Sequence, residues 1–184
     1  DRNKEVSLAE RAEIANKAGA DLFISIHANA SPNRHVRGWN VFFLATALND
    51  SARAVAQLEN SFFLREANKT ESSAEEDSES NSFEDPVLSI LNEMILTEFQ
   101  AESHDFAMMV DRQFRRRLKT PARGVDQAGF FVLNKVFTPS ILVEAAFISN
   151  RNEEKLLKSK QYQEKVAQGL YDAIKRFKDK YESQ

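Results

Sequence analysis

A near-continuous apolar run, Ala20-Asp21-Leu22-Phe23-Ile24-Ser25-Ile26-His27-Ala28-Asn29-Ala30, constrains this chain more than any other stretch. Its centre suits a strand buried on both faces of a sheet. It then gives way abruptly to small and polar residues, with His27 at the boundary. Open α/β sheets place their sites at the carboxyl ends of strands, so a histidine there is well placed for chemistry. A second run, Ser140-Ile141-Leu142-Val143, closes in the same way on Glu144, before Ala145-Ala146-Phe147. An imidazole and a carboxylate, each ending an apolar strand, are the candidate pair.

The remaining totals narrow the class. A length of 184 residues fits one domain, or one domain with an insertion, and 42% hydrophobic residues can build a core. A net charge of −3 gives no nucleic-acid footprint. The absence of cysteine removes thiol nucleophiles, disulfides and Cys-type zinc sites. No apolar run approaches the roughly 20 residues of a membrane span. The chain begins at Asp1 with no signal peptide, which reads as a processed or trimmed piece of something longer.

Periodicity orders the elements. A helix is predicted over 7–17, with Ser7 as cap, Glu10 three residues on and Gly19 as the stop. The strand at 21–27 follows, then a turn-rich loop over 28–38 carrying a solvated His35. Trp39 to Leu44 reads as a second strand, and 51–67 as a helix with Ala52, Val55, Ala56 and Leu58 on its buried face. From Thr70 to Asp85 the chain is rich in Ser and Glu with no basic partner, which predicts a mobile, solvated linker. Asp85-Pro86 restarts a broadly apolar helix, and Ser103 caps another through Leu118, with His104 in its first turn. The closing basic residues Arg115, Arg116, Arg117 and Lys119 suit a helix C-terminus. Pro121 to Asp126 reads as a connection, Gly129 to Leu133 as a third strand and Ser140 to Glu144 as a fourth. Asn150 caps the next helix with Glu153 in capping-box position, and a last amphipathic helix covers about 161–181. The fold class is α/β: a three-layer, mostly parallel or mixed twisted sheet flanked by helices, with a partly helical insertion over 70–102.

Imidazole is the commonest metal ligand, and a catalytic zinc takes three N or O ligands and leaves a position for water. His27 as ligand and Glu144 as general base would fit amide hydrolysis. Spacing alone leaves the alternatives open. A lone strand-end His is more often structural, and a strand-end Glu more often an ion-pair partner. A serine-type site is weaker, because Ser25 and Ser140 lack nucleophile-elbow glycines.

Several blocks in order carry a resemblance. Leu8-Ala9-Glu10-Arg11 with Ala15-Asn16, the 20–29 strand, Gly38 to Leu44, Gly124-Val125, Gly129 to Leu133 and Pro139 to Asn150 resemble the zinc-dependent N-acetylmuramoyl-L-alanine amidases of the amidase_3 type. Glu153-Glu154 and Leu156-Leu157 continue the match. The resemblance implies that His27 is a ligand to Zn2+ and Glu144 the catalytic carboxylate. The implied reaction cleaves the amide between N-acetylmuramic acid and L-alanine of the peptidoglycan stem peptide, outside the cytoplasm and in the periplasm. It also implies two further ligands, a His and a Glu, upstream of Asp1, so that 1–184 is the catalytic domain without its N-terminal part.

The segment Ala56-Gln57-Leu58-Glu59-Asn60, followed by the long excursion, resembles the subgroup that separates dividing Gram-negative cells. There a helix covers the zinc cleft until an activator with a LytM-type domain displaces it. On that resemblance 86–102 is a lid helix, with Glu93, Glu98 and Glu102 as candidate autoinhibitory carboxylates. Two other readings compete with the amidase. One is a non-catalytic or regulatory wall-binding module on the same fold. The other is a zinc carboxypeptidase-like hydrolase acting on a different peptide.

Overall fold

A computed structural model describes residues 6–71 and 98–182, with side chains through 61 in the first span. Most of the acidic 70–85 stretch, most of the 86–102 helix, and Glu93 with them, lie outside the described residues.

Helix α1 (Leu8–Lys17) starts with a complete capping box. Ser7 Oγ accepts from the Glu10 amide at 3.2 Å, and the Glu10 carboxylate accepts from the Ser7 amide at 3.1 Å. Gly19, at φ +58°, turns the chain into β1 (Phe23–Asn29). After β2 (Trp39–Leu44), helix α2 (Asp50–Glu71) runs beyond the limit that periodicity assigns. Helix α3 (Gln100–Arg117), β3 (Ala122–Ala128), a single helical turn α4 (Phe131–Asn134), β4 (Ser140–Phe147), α5 (Arg151–Leu157) and α6 (Lys160–Tyr181) complete the order.

The four strands form one mixed sheet in the order β1-β4-β2-β3. β1 pairs parallel with β4 and β2 parallel with β3, while β2 and β4 run antiparallel. Every residue of the interior strand β4 is buried, which accounts for its apolar composition apart from Ser140 and Glu144. Side chains alternate between two cores. Trp39, Val41, Ile141 and Val143 pack beneath α3 and α6 with Phe106, Phe114, Leu170 and Phe177. Phe42 and Leu142 face α1, α2 and α4 with Leu8, Ala52, Ala56, Phe130 and Leu133. The result is the three-layer α/β arrangement expected.

Three local expectations are corrected. The third strand is Ala122–Ala128, not 129–133. β3 pairs only with β2 at the sheet edge and so needs no apolar run, whereas Phe130, Val132 and Leu133 are apolar because a helical turn inserts them into the core. Ser103 lies inside α3 rather than capping it: its hydroxyl donates to the Phe99 carbonyl and accepts from the Ser140 amide at 2.9 Å, fixing the start of β4. Asn150 does cap α5, accepting from the amides of Asn152 and Glu153. The buried Glu153 carboxylate, however, accepts from the amides of Gly38 and Phe147 instead of closing a capping box.

Candidate metal centre

The parallel register sets His27 of β1 directly beside Glu144 of β4, and the antiparallel register sets Asn40 of β2 on the other side of Glu144. Side chains of period two share a face, so Glu144 lies on the same face as Leu142, towards α2. That helix supplies the third group. Glu59 Oε2 stands 2.7 Å from His27 Nδ1, and both side chains are largely enclosed. His27 Nε2 is 2.7 Å from Ser25 Oγ, two residues back on the same face of the strand.

Glu144 has no exposed surface. Both its carboxylate oxygens are buried without a hydrogen-bond partner among the described residues. Burial, with the charge of Glu59 adding to it, pushes its carboxyl up to about 8. An unpartnered buried carboxylate is costly unless a proton or a cation satisfies it. One ligand atom each from His27, Glu59 and Glu144 lies within 4.8 Å of the others. This N/O/O set fits a small divalent cation, and Ser25 is placed to orient the imbedded imidazole from behind.

The structure therefore brings His27 and Glu144 together, as the sequence suggests. Glu98 is exposed and Glu102 half-buried at the start of the α3 region, and neither joins this cluster. Glu59 carried no sequence assignment. A signal was present: it follows Val55 and Ala56 by four and three positions, so a carboxylate interrupts the apolar stripe of α2. The other histidines stand apart. His35 is exposed in its loop, and the exposed His104 meets the Phe43 ring edge-on at 5.1 Å. The basic end of α3 is structural: Arg115 pairs with Asp111 and Arg117 with Asp172.

The model for the N-acetylmuramoyl-L-alanine amidase family, Amidase_3, matches residues 1–176. The chain belongs to this family. Among curated amidases, AmiC of Escherichia coli O6:H1 is 35% identical over 180 residues, covering 96% of this chain and 40% of that protein. AmiA of E. coli K12 is 30% identical over 169 residues, covering 92% of this chain and 56% of that protein. The chain thus spans only about half the length of these relatives. The fold matches the solved amidase of Clostridium difficile 630, with a TM-score of 0.63 at 21% identity, over 96% of this chain and 67% of that one. AmiC2 of Nostoc punctiforme matches with a TM-score of 0.59 at 23% identity, over 96% and 68%. In this amidase fold, the face of the sheet that carries the His27–Glu144 pair lies under α2.

Proposed function

We propose that the chain is part of a peptidoglycan amidase that hydrolyses the bond between the lactyl group of N-acetylmuramic acid and L-alanine. The observation that carries this reading is Glu144, a buried, unpartnered carboxylate within reach of His27 in a chain of the amidase family. In the proposed site His27 holds Zn2+ through Nδ1, with Ser25 orienting the ring through Nε2. Zinc, when bound, polarises the scissile carbonyl and lowers the pKa of water. Glu144 accepts the proton of the attacking water and passes it to the nitrogen of the leaving amine. Burial, the larger cause of the upward shift, favours the protonated carboxyl that the second half of that task requires. The apolar floor around Glu144 keeps bulk water from competing for the proton.

The two further ligands implied by resemblance belong, on this reading, to a segment upstream of Asp1. Glu59 then takes the role sought for the lid carboxylates: at 2.7 Å from His27 it fills the position that substrate and water require. We propose that displacement of α2, by a LytM-domain activator in the periplasm, opens the site during daughter-cell separation. No described helix is long and apolar enough to cross a membrane. The decisive test incubates purified peptidoglycan with a version of the protein that carries the upstream ligands, and Glu59→Gln to open the site. Released peptides should carry a free L-alanine N-terminus, and Glu144→Gln should cut their release by about a thousandfold or more. Intact sacculi, or peptides ending elsewhere, would favour the wall-binding module or the carboxypeptidase-like hydrolase.

A further inference from the structure

Beside the metal centre, on the same side of the sheet, lies an open cleft of about 570 Å³. Its lining includes Asn29, two residues beyond His27, and Asn40, the cross-strand neighbour of Glu144. Arg123 forms part of its wall. The β2–β3 register shifts between Trp39 and Asn40, opposite Ala122 and Gly124, so Arg123 sits at a β-bulge. Gly124 takes φ +90°, a conformation that favours glycine. Bulges re-aim side chains next to active sites. Here the bulge lays the Arg123 guanidinium over the Phe147 ring, 5.6 Å from its centroid. This cation–π contact holds the guanidinium at the ring and leaves an N–H edge for an anion.

That edge has no carboxylate partner among the described residues. The carboxylate nearest in the cleft lining, Asp126, is already engaged by the Asn49 side chain at 2.8 Å and by the Gln127 amide at 2.9 Å. β3 and β4 are separated only by β2, so Arg123 stands about 10 Å from the strand of Glu144, at roughly 4.8 Å per strand spacing. An extended peptide covers that distance in about three residues, at ~3.4 Å each, before any side-chain reach is counted.

We propose that Arg123 is a specificity-determining residue that binds the α-carboxylate of the residue that follows L-alanine. This rests on the amidase reading for the position of the scissile bond. The expected recognition is a paired, charge-assisted contact, which a neutral amide in place of the carboxylate would lose.

The test is calorimetric binding to the full chain in a Glu59→Gln/Glu144→Gln background, where the obstructing carboxylate is removed and hydrolysis is suppressed. The probes are N-acetylmuramoyl-L-alanyl-D-glutamate and N-acetylmuramoyl-L-alanyl-D-isoglutamine, which differ in one carboxylate on the residue after L-alanine. The acid should bind about tenfold more tightly at low salt, and the preference should shrink as salt is raised. Arg123→Gln should erase the preference by weakening the acid alone, and Arg123→Lys should keep part of it. A folding defect would weaken both probes together, so the ratio is its own control. Equal affinities before substitution, the same ratio in Arg123→Gln, or no binding of either probe overturns the proposal. Cleavage of peptidoglycan is scored separately, in a version of the protein carrying the upstream ligands and Glu59→Gln. Its failure would remove the amidase reading while leaving the acid-to-amide ratio to decide the role of Arg123.

Discussion

Two carboxylates meet one imidazole in this protein, and each should respond differently to replacement. Glu59 pairs with His27, and in the proposed site it obstructs rather than reacts. In a version of the protein carrying the upstream ligands, Glu59→Gln should raise basal peptide release several-fold without an activator. Unchanged or lower release would mean that Glu59 is a working ligand. Glu144 offers a pH signature in the metal-free state. Its carboxyl is raised from 4.5 to about 8 by burial and by Glu59, so the native state holds a proton that the unfolded chain gives up. Its contribution to stability is full below about pH 4.5 and is lost as pH rises through about 8. With chelator present, Tm should therefore fall between pH 5 and pH 9, by an amount on the order of 5–10 °C from this group. Glu144→Gln should flatten that decline in a thermal-melt series. An equally steep decline in the variant would place the titrating group elsewhere.

At the scale of elements, the site depends on how the 30–38 loop and the end of β4 are held together. Glu153, near the start of α5, accepts from the Gly38 and Phe147 amides at 2.7 and 2.8 Å. Asn150 donates to the Arg34 and Val36 carbonyls, and Ser149 accepts from the Ser31 amide. The β4–α5 turn thus fastens the loop that walls the cleft. Gly38 is the tightest point. It sits at φ +111°, and a Cβ there would meet the Pro121 carbonyl oxygen at 2.4 Å. Backbone faces it on that side, so no side chain can swing away. Gly38→Ala should cost about 2–4 kcal/mol in denaturant melts, through both the unfavourable φ and the clash. A loss within 0.5 kcal/mol would show that the loop rearranges freely. Sequence periodicity found most of these elements because their apolar faces are long. It misplaced β3, because an edge strand paired on one side carries little apolar signal, while a short helical turn next to it carries more.

Across the whole molecule, the three donors come from β1, α2 and β4, at positions 27, 59 and 144, and converge only when the layers close. Metal binding should therefore report on the intact fold. Zinc content of the purified chain decides between the two roles of this cluster. About one zinc, removed by His27→Ala and raising stability by about 2.7 kcal/mol at a hundredfold excess over Kd, would make Glu59 and Glu144 ligands and overturn the obstructing role of Glu59. No zinc in the native chain would mean that the upstream ligands are indispensable. That His27 and Glu144 lie on strands, the α/β class and the family were legible in the sequence, because a long apolar run announces a strand. Its end was not legible: β1 runs on to Asn29 and β4 to Phe147, so neither residue closes its strand. Register and helix placement were not legible. Nothing local to residue 59 says that α2 will lie over β1, nor does residue 123 reveal that a bulge turns its guanidinium onto Phe147. Those positions follow from the closure of two cores on opposite faces of one sheet, a long-range packing result that local sequence does not encode.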